Sequence, residues 1–139
     1  MEIALMEETH VATCFLENQG KILLLRRSGQ VGSYTQRWAG ISGYIEPGHS
    51  PLTQALQEIQ EEAGLSQPEV RLLKEGLPFE VIDATLGKKW VVHPFRFHVK
   101  HPGKIKIDWE HSECKWIEPE EIKTFQTVPG LYEAWERVK

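Results

Sequence analysis

Apolar and polar positions change rhythm several times along the chain, and each change marks an element. THVATCFLEN (9–18) is rich in β-branched and aromatic residues and predicts a strand. Asn18-Gln19-Gly20 predicts a turn. KILLLRRS (21–28) predicts a second strand, buried on both faces up to Leu25, and the pair reads as a hairpin. SGQVGSYTQ (28–36), with its glycines and serines, predicts a loop. RWAGISGYIE (37–46) mixes extended character with glycine, as a strand shaped around something does. The rhythm then becomes helical. Leu52, Leu56, Ile59 and Ala63 recur at helical spacing, Ser50-Pro51 gives an N-cap and first-turn proline, and Gly64 a left-handed cap. The helix spans 51–63, with that stripe toward the core.

Further on, EVRLLKEG (69–76), LPFEVIDAT (77–85) and KWVVHPFRFHVK (89–100) predict strands, with Leu86-Gly87 in the turn between the last two. Pro94 inside the third predicts an edge position or a bulge. Residues 101–104 predict a turn, CKWI (114–117) a short strand, and EPEEIKTF (118–125) a helix. Pro129-Gly130 separates it from a last helix over 131–138. Strands with a few helices on the outside imply a layered α+β or α/β domain. No repeat or linker divides the 139 residues, so a single domain over 1–139 is expected.

Composition narrows the function classes. A hydrophobic content of 40% and a charged content of 26% are those of a globular protein. The net charge of −4 gives no general attraction for nucleic acid, and no apolar run approaches the length of a membrane span. Cys14 and Cys114 are the only cysteines, which suggests neither a disulfide framework nor a zinc site. MEIALMEETH carries glutamates where an export signal would carry basic residues, so a cytoplasmic location is expected.

The chemistry concentrates in GYIEPGHSPLTQALQEIQEEAGL (43–65). On a helix, Glu58, Glu61 and Glu62 are neighbours at i, i+3 and i+4, apart from the apolar stripe. Like charges at that spacing repel. A hard divalent cation with a preference for oxygen reverses the sign, and Mg²⁺ bridges such carboxylates to phosphates. A solvated acidic face is the plainer reading of the helix alone.

The segment resembles the Nudix box, G-x5-E-x7-R-E-U-x-E-E-x-G-U, where U is bulky and aliphatic. Gly43, Glu58, Ile59, Glu61, Glu62, Gly64 and Leu65 occupy their places, and Glu46-Pro47-Gly48 resembles the usual approach to the first glutamate. Two positions depart: His49 stands for the first box glutamate and Gln57 for the arginine. The two changes remove opposite charges, so a neutral His49–Gln57 hydrogen bond in place of an ion pair is expected. A titrating or metal-touching His49 is the rival reading.

The resemblance implies an α/β/α sandwich around a mixed sheet and a pyrophosphohydrolase acting on a nucleoside diphosphate linked to another group X. It implies a Mg²⁺ site, with Mn²⁺ as a substitute, formed by Glu58, Glu61, Glu62 and the main-chain oxygen of Gly43. Glu110, then Glu113, in DWEHSE (108–113) are the candidates for general base. Arg26, Arg27 and Arg37 flank the loop into the box as phosphate contacts. Tyr34, or Phe79 and Trp90, could stack on a base, while His93 and His98 read as structural. The partner is then a nucleotide-type small molecule, and the family suggests a homodimer. A catalytically weak nucleotide-binding regulatory module is the alternative, and an isoprenyl diphosphate isomerase a more distant one.

Overall fold

The computed structural model describes residues 6–139. Eight strands form one sheet: β1 (Glu7–Asn18), β2 (Lys21–Arg27), β3 (Trp38–Ala39), β4 (Ile41–Tyr44), β5 (Val70–Glu75), β6 (Phe79–Asp83), β7 (Lys88–Val99) and β8 (His111–Ile117). Two α-helices, α1 (Pro51–Ala63) and α2 (Leu131–Glu136), flank it.

β1 is the axis. Along one edge it pairs parallel with β7, from Glu7↔Lys88 to Glu17↔His98. It leaves the β1–β2 hairpin after only Glu17↔Ile22 and Asn18↔Lys21. β4 then pairs antiparallel with β1, from Val11↔Tyr44 to Cys14↔Ile41. β2 diverges and pairs with β3 and, antiparallel, with β8. The divergence opens a cleft between the box segment on β4 and the β2–β8 ribbon.

Alternation along β1 splits the core into two layers. Ala12, Cys14 and Leu16 face α1 and pack with Ala55, Ile59 and Ala63. Phe15 faces the other way, with Trp90, Leu131, Ala134 and Trp135 around α2. Burying each large apolar side chain contributes about 1.5–3 kcal/mol, and Phe15, Phe95, Phe97 and Ile59 are almost completely enclosed. The expected α/β/α sandwich around a mixed sheet is observed.

Four local readings need correction. Residues 119–124 form a 3₁₀ helix rather than an α-helix. Only Ile122 is buried there, and residues 126–128 are drawn out against Trp38 by Trp38 N–H to Gln126 O (2.9 Å) and Val128 N–H to Trp38 O (2.9 Å). β8 begins at His111, three residues before the apolar CKWI segment, because ladder bonds to β2 extend it through polar residues. α2 ends at Glu136, two residues short of the expected limit, where the turn tightens. Pro94 marks neither an edge strand nor a bulge at its own position. β7 is internal, and Pro94 lies where β6 pairing ends and β5 pairing begins. Its carbonyl accepts from Gly76 N–H, so its nitrogen faces the same gap and no ladder donor is lost.

α1 is anchored at both ends. Ser50 Oγ accepts from Thr53 N–H (3.1 Å), and Gly64 takes the left-handed conformation with its N–H on Gln60 O (3.0 Å). Ser50→Ala is expected to lower stability by about 1 kcal/mol in urea unfolding; no change would mean that the cap contributes nothing.

Candidate active site

α1 lies directly over β4, and a glycine permits the approach. A β-carbon at Gly43 would overlap the Glu58 carboxylate. Glu58 is therefore buried, at 8% exposure; Glu62 is buried as well, at 2%, while Glu61 is exposed. This corrects the expectation that all three stand apart from the packed face. The buried face of α1 is Gln54, Ala55, Glu58, Ile59, Glu62 and Ala63, and Leu52 and Leu56 sit at its margin. The hydrophobic stripe is one half of the contact, and a polar stripe over β4 is the other.

The two buried carboxyls lie one turn apart on the buried face of α1, close enough for each to influence the other's proton. Burial, then the Glu58 carboxyl, pushes Glu62 up to about 10. Burial also raises Glu58. Glu62 Oε1 receives a long contact from Ser42 N–H (3.4 Å) and lies 3.6 Å from His111 Nε2. His111 is buried and donates from Nδ1 to Asp108 Oδ1 (3.0 Å). Burial lowers its basicity. A neutral His111 thus presents its free Nε2 lone pair to a protonated Glu62. No lysine or arginine pairs with either carboxyl among the described residues.

A cleft of about 490 Å³ opens above this pair. Gly43, Glu58, Glu61, Glu62, Glu110 and Tyr34 line it, together with Arg27, Tyr44, Trp90 and Trp109. Glu110 is held by its loop: its carbonyl accepts from Ser28 N–H (2.7 Å) and its N–H donates to Asp108 Oδ1 (3.2 Å). Burial, then Asp108, raises its carboxyl. Glu113 lies outside the lining and pairs with Arg26 (3.4 Å).

The arginines sort differently from the sequence expectation. Arg26 and Arg37 do not line the cleft. Arg26 is bound to Gln36 O and Glu113, and Arg37 to Thr127 O. A strand alternates its side chains, so Arg26 and Arg27 diverge, and Arg27 is the one directed to the cleft, with Nε on Ser33 O (3.0 Å). Among the described residues lining the cleft, Arg27 alone is an arginine or lysine.

The opposite wall is aromatic. Tyr44 and Trp90 are stacked, with ring centroids 6.2 Å apart and planes at 5°. Lys88 Nζ lies over Trp90 at 4.8 Å. Tyr34 lines the cleft with its ring, while its hydroxyl donates to Asp83 Oδ2 (2.5 Å) and accepts from Trp90 Nε1–H (3.0 Å). Burial pushes that phenol up to about 12. Phe79 belongs to the core around α2. Tyr44 and Trp109 had no sequence signal beyond being aromatic, one next to Gly43 and the other within DWEHSE, and only their exposure, 56% and 65%, draws attention to them. His93 meets His10 (2.9 Å) away from the cleft.

The oxygen-only donors Glu58, Glu61 and Glu62 suit a hard divalent cation. Two buried carboxyls one turn apart, one of them seated over a glycine, are the observation that fits one. No three His, Cys, Asp or Glu side chains among the described residues are already gathered at metal-binding spacing.

The family model for the NUDIX domain matches residues 6–137. The chain belongs to the NUDIX family. Among curated relatives, it is 30% identical over 98 residues to a bis(5'-nucleosyl)-tetraphosphatase (asymmetrical) of Sus scrofa, covering 70% of this chain and 63% of that protein. It is 25% identical over 126 residues to the nucleoside triphosphatase NudI of Escherichia coli, covering 84% and 86%. An octanoyltransferase of Myxococcus xanthus is 28% identical over 107 residues, and there the chain spans only 27% of the relative's length. The NUDIX fold is also that of a MutT protein from Methanosarcina mazei, with a TM-score of 0.80 at 23% identity over 96% of this chain and 94% of that one. No helix among the described residues is long and apolar enough to cross a membrane.

The carboxyl pair fixes how the metal-free protein responds to pH. Glu62 is raised in the folded state, so its contribution to stability is full at low pH and is lost as pH rises through its folded value. With chelator present, stability should fall from roughly pH 5 toward pH 9, and Glu62→Gln should flatten that fall and raise Tm near pH 8. Urea and thermal unfolding across pH read the two; a wild type and variant with parallel curves would show that Glu62 is ionised in the native protein.

Proposed function

We propose that this NUDIX domain hydrolyses a phosphoanhydride bond in a nucleoside diphosphate linked to a further group, with Mg²⁺ or Mn²⁺ as cofactor. The observation that carries the reading is the buried Glu58–Glu62 pair over Gly43, within one cleft with Glu61 and Glu110. The relatives named for tetraphosphate and triphosphate cleavage support the class of bond, and the aromatic wall supports a nucleotide.

Glu58, Glu61 and Glu62, with the main-chain oxygen of Gly43, are the residues to hold the cation. When bound, it supplies neutralisation of phosphate oxygens and stabilises charge on the leaving group. The remaining work falls to the chain. Glu110 faces the cleft with its carboxyl raised, which supports the role of proton acceptor for the attacking water. Arg27 offers a planar guanidinium to a phosphate, the role expected earlier of Arg26, Arg27 and Arg37 together. The ring of Tyr34 and the Tyr44–Trp90 stack provide a flat apolar surface for a base.

A panel of dinucleoside polyphosphates, nucleoside triphosphates and nucleotide sugars, assayed with Mg²⁺, Mn²⁺ and chelator, tests the reading. Metal-dependent cleavage of at least one member is expected. Glu58→Gln and Glu61→Gln should each lower kcat by roughly a hundredfold. Binding of a nucleotide without turnover by any metal would instead assign a regulatory module.

A further inference from the structure

The box departures acquire a specific meaning in the structure. His49 does not pair with Gln57. Gln57 Nε2 donates to Glu61 Oε1 (3.0 Å), one turn along the exposed side of α1. His49 Nδ1 lies 2.7 Å from Gln54 Oε1 instead. Gln54 is 1% exposed, a polar side chain placed inside the α1 contact.

The partners of Gln54 define which way its amide points. Glu46 N–H donates to Oε1 (3.0 Å), so that atom is the acceptor edge. His49 then donates to the same oxygen from Nδ1–H. Glu46 Oε2 lies 3.5 Å from that imidazole, and His49 N–H is itself fixed on Glu46 O (3.0 Å). Only the amide Nε2 edge remains, and it donates to Glu58 Oε1 (3.1 Å). A reversed amide would set its oxygen against the Glu58 carboxyl and its NH₂ against the Glu46 N–H.

We propose that His49 and Gln54 form a positioning relay that holds the loop at 46–49 against α1 and aims Glu58 into the cation site. The relay rests on the reading of Glu58 as a metal ligand. It carries out with a neutral amide what an arginine–glutamate pair would do with charge, and it acts from position 54 rather than 57. The neutrality matters at this place. Gln54 donates one hydrogen bond to Glu58 without adding a fixed cation beside the metal, so it orients the carboxylate without competing for it. A ligand held by such an outer partner gains affinity for its metal, typically tenfold or more.

Mn²⁺ binding separates the relay from the hydrolase reading, because it needs no substrate. The free Mn²⁺ signal in electron paramagnetic resonance gives Kd directly. Gln54→Met keeps the volume and removes the donor; His49→Ala acts from the loop surface, where folding is least at risk. Both should weaken Mn²⁺ by about tenfold and raise the Mg²⁺ needed for half-maximal turnover, with substrate KM at saturating metal within about twofold. His49→Asn places an amide nitrogen where the imidazole Nδ1 stands and should restore most of the affinity. Variants that bind Mn²⁺ as tightly as the wild type would overturn the relay, as would His49→Asn no better than His49→Ala. A wild type that binds no Mn²⁺ would overturn the metal site itself.

Discussion

Two carboxyl groups lie side by side beneath a helix, and no arginine or lysine among the described residues neutralises them. Burying an ionised carboxylate costs several kcal/mol unless something pairs with it. The protein meets this constraint by keeping a proton on the pair, chiefly on Glu62. Much of the local structure follows. Gly43 must lack a side chain for Glu58 to fit. α1 must be fastened at both ends to stay over a polar contact, which Ser50 and Gly64 accomplish. His111 must be neutral on the side facing Glu62, and Asp108 sets that tautomer.

The same constraint links stability to function. A helix chosen only for packing would carry apolar residues at 58 and 62, next to Ala55, Ile59 and Ala63. Carboxylates there break the local rule, and rule-breaking buried charge marks a functional site more often than a structural one. The sheet makes the site open to solvent at one end. Because β2 leaves β1 after two residue pairs, the ribbon of β2 and β8 stands away from β4, and Arg27 and Glu110 reach the cleft from across the gap.

Much of this was legible in the residues. The β1–β2 hairpin, the limits of α1 and the box itself are local patterns of spacing, capping and turn chemistry, and the layered fold and family follow from them. What escaped depended on neighbours distant in sequence. The burial of Glu58 is set by Gly43 on another element, and Glu62 lies against Ser42 and His111. The partner of His49 is Gln54 rather than Gln57 because the loop meets the first turns of α1 on its inner face. Arg27 rather than Arg26 faces the cleft because of the strand's alternation, and a bulge between them shifts the pairing with β8. The helix expected at 118–125 forms only as a 3₁₀ helix over 119–124, because the following residues are drawn out against Trp38.

The central claim is that the Glu58–Glu62 pair is a cation site that holds a proton when the cation is absent. Anomalous diffraction from crystals soaked in Mn²⁺ tests it most directly. A peak within ligand distance of Glu58 and Glu62, with Glu61 on its exposed side, is the predicted result. A peak elsewhere, or none at saturating Mn²⁺, would contradict it.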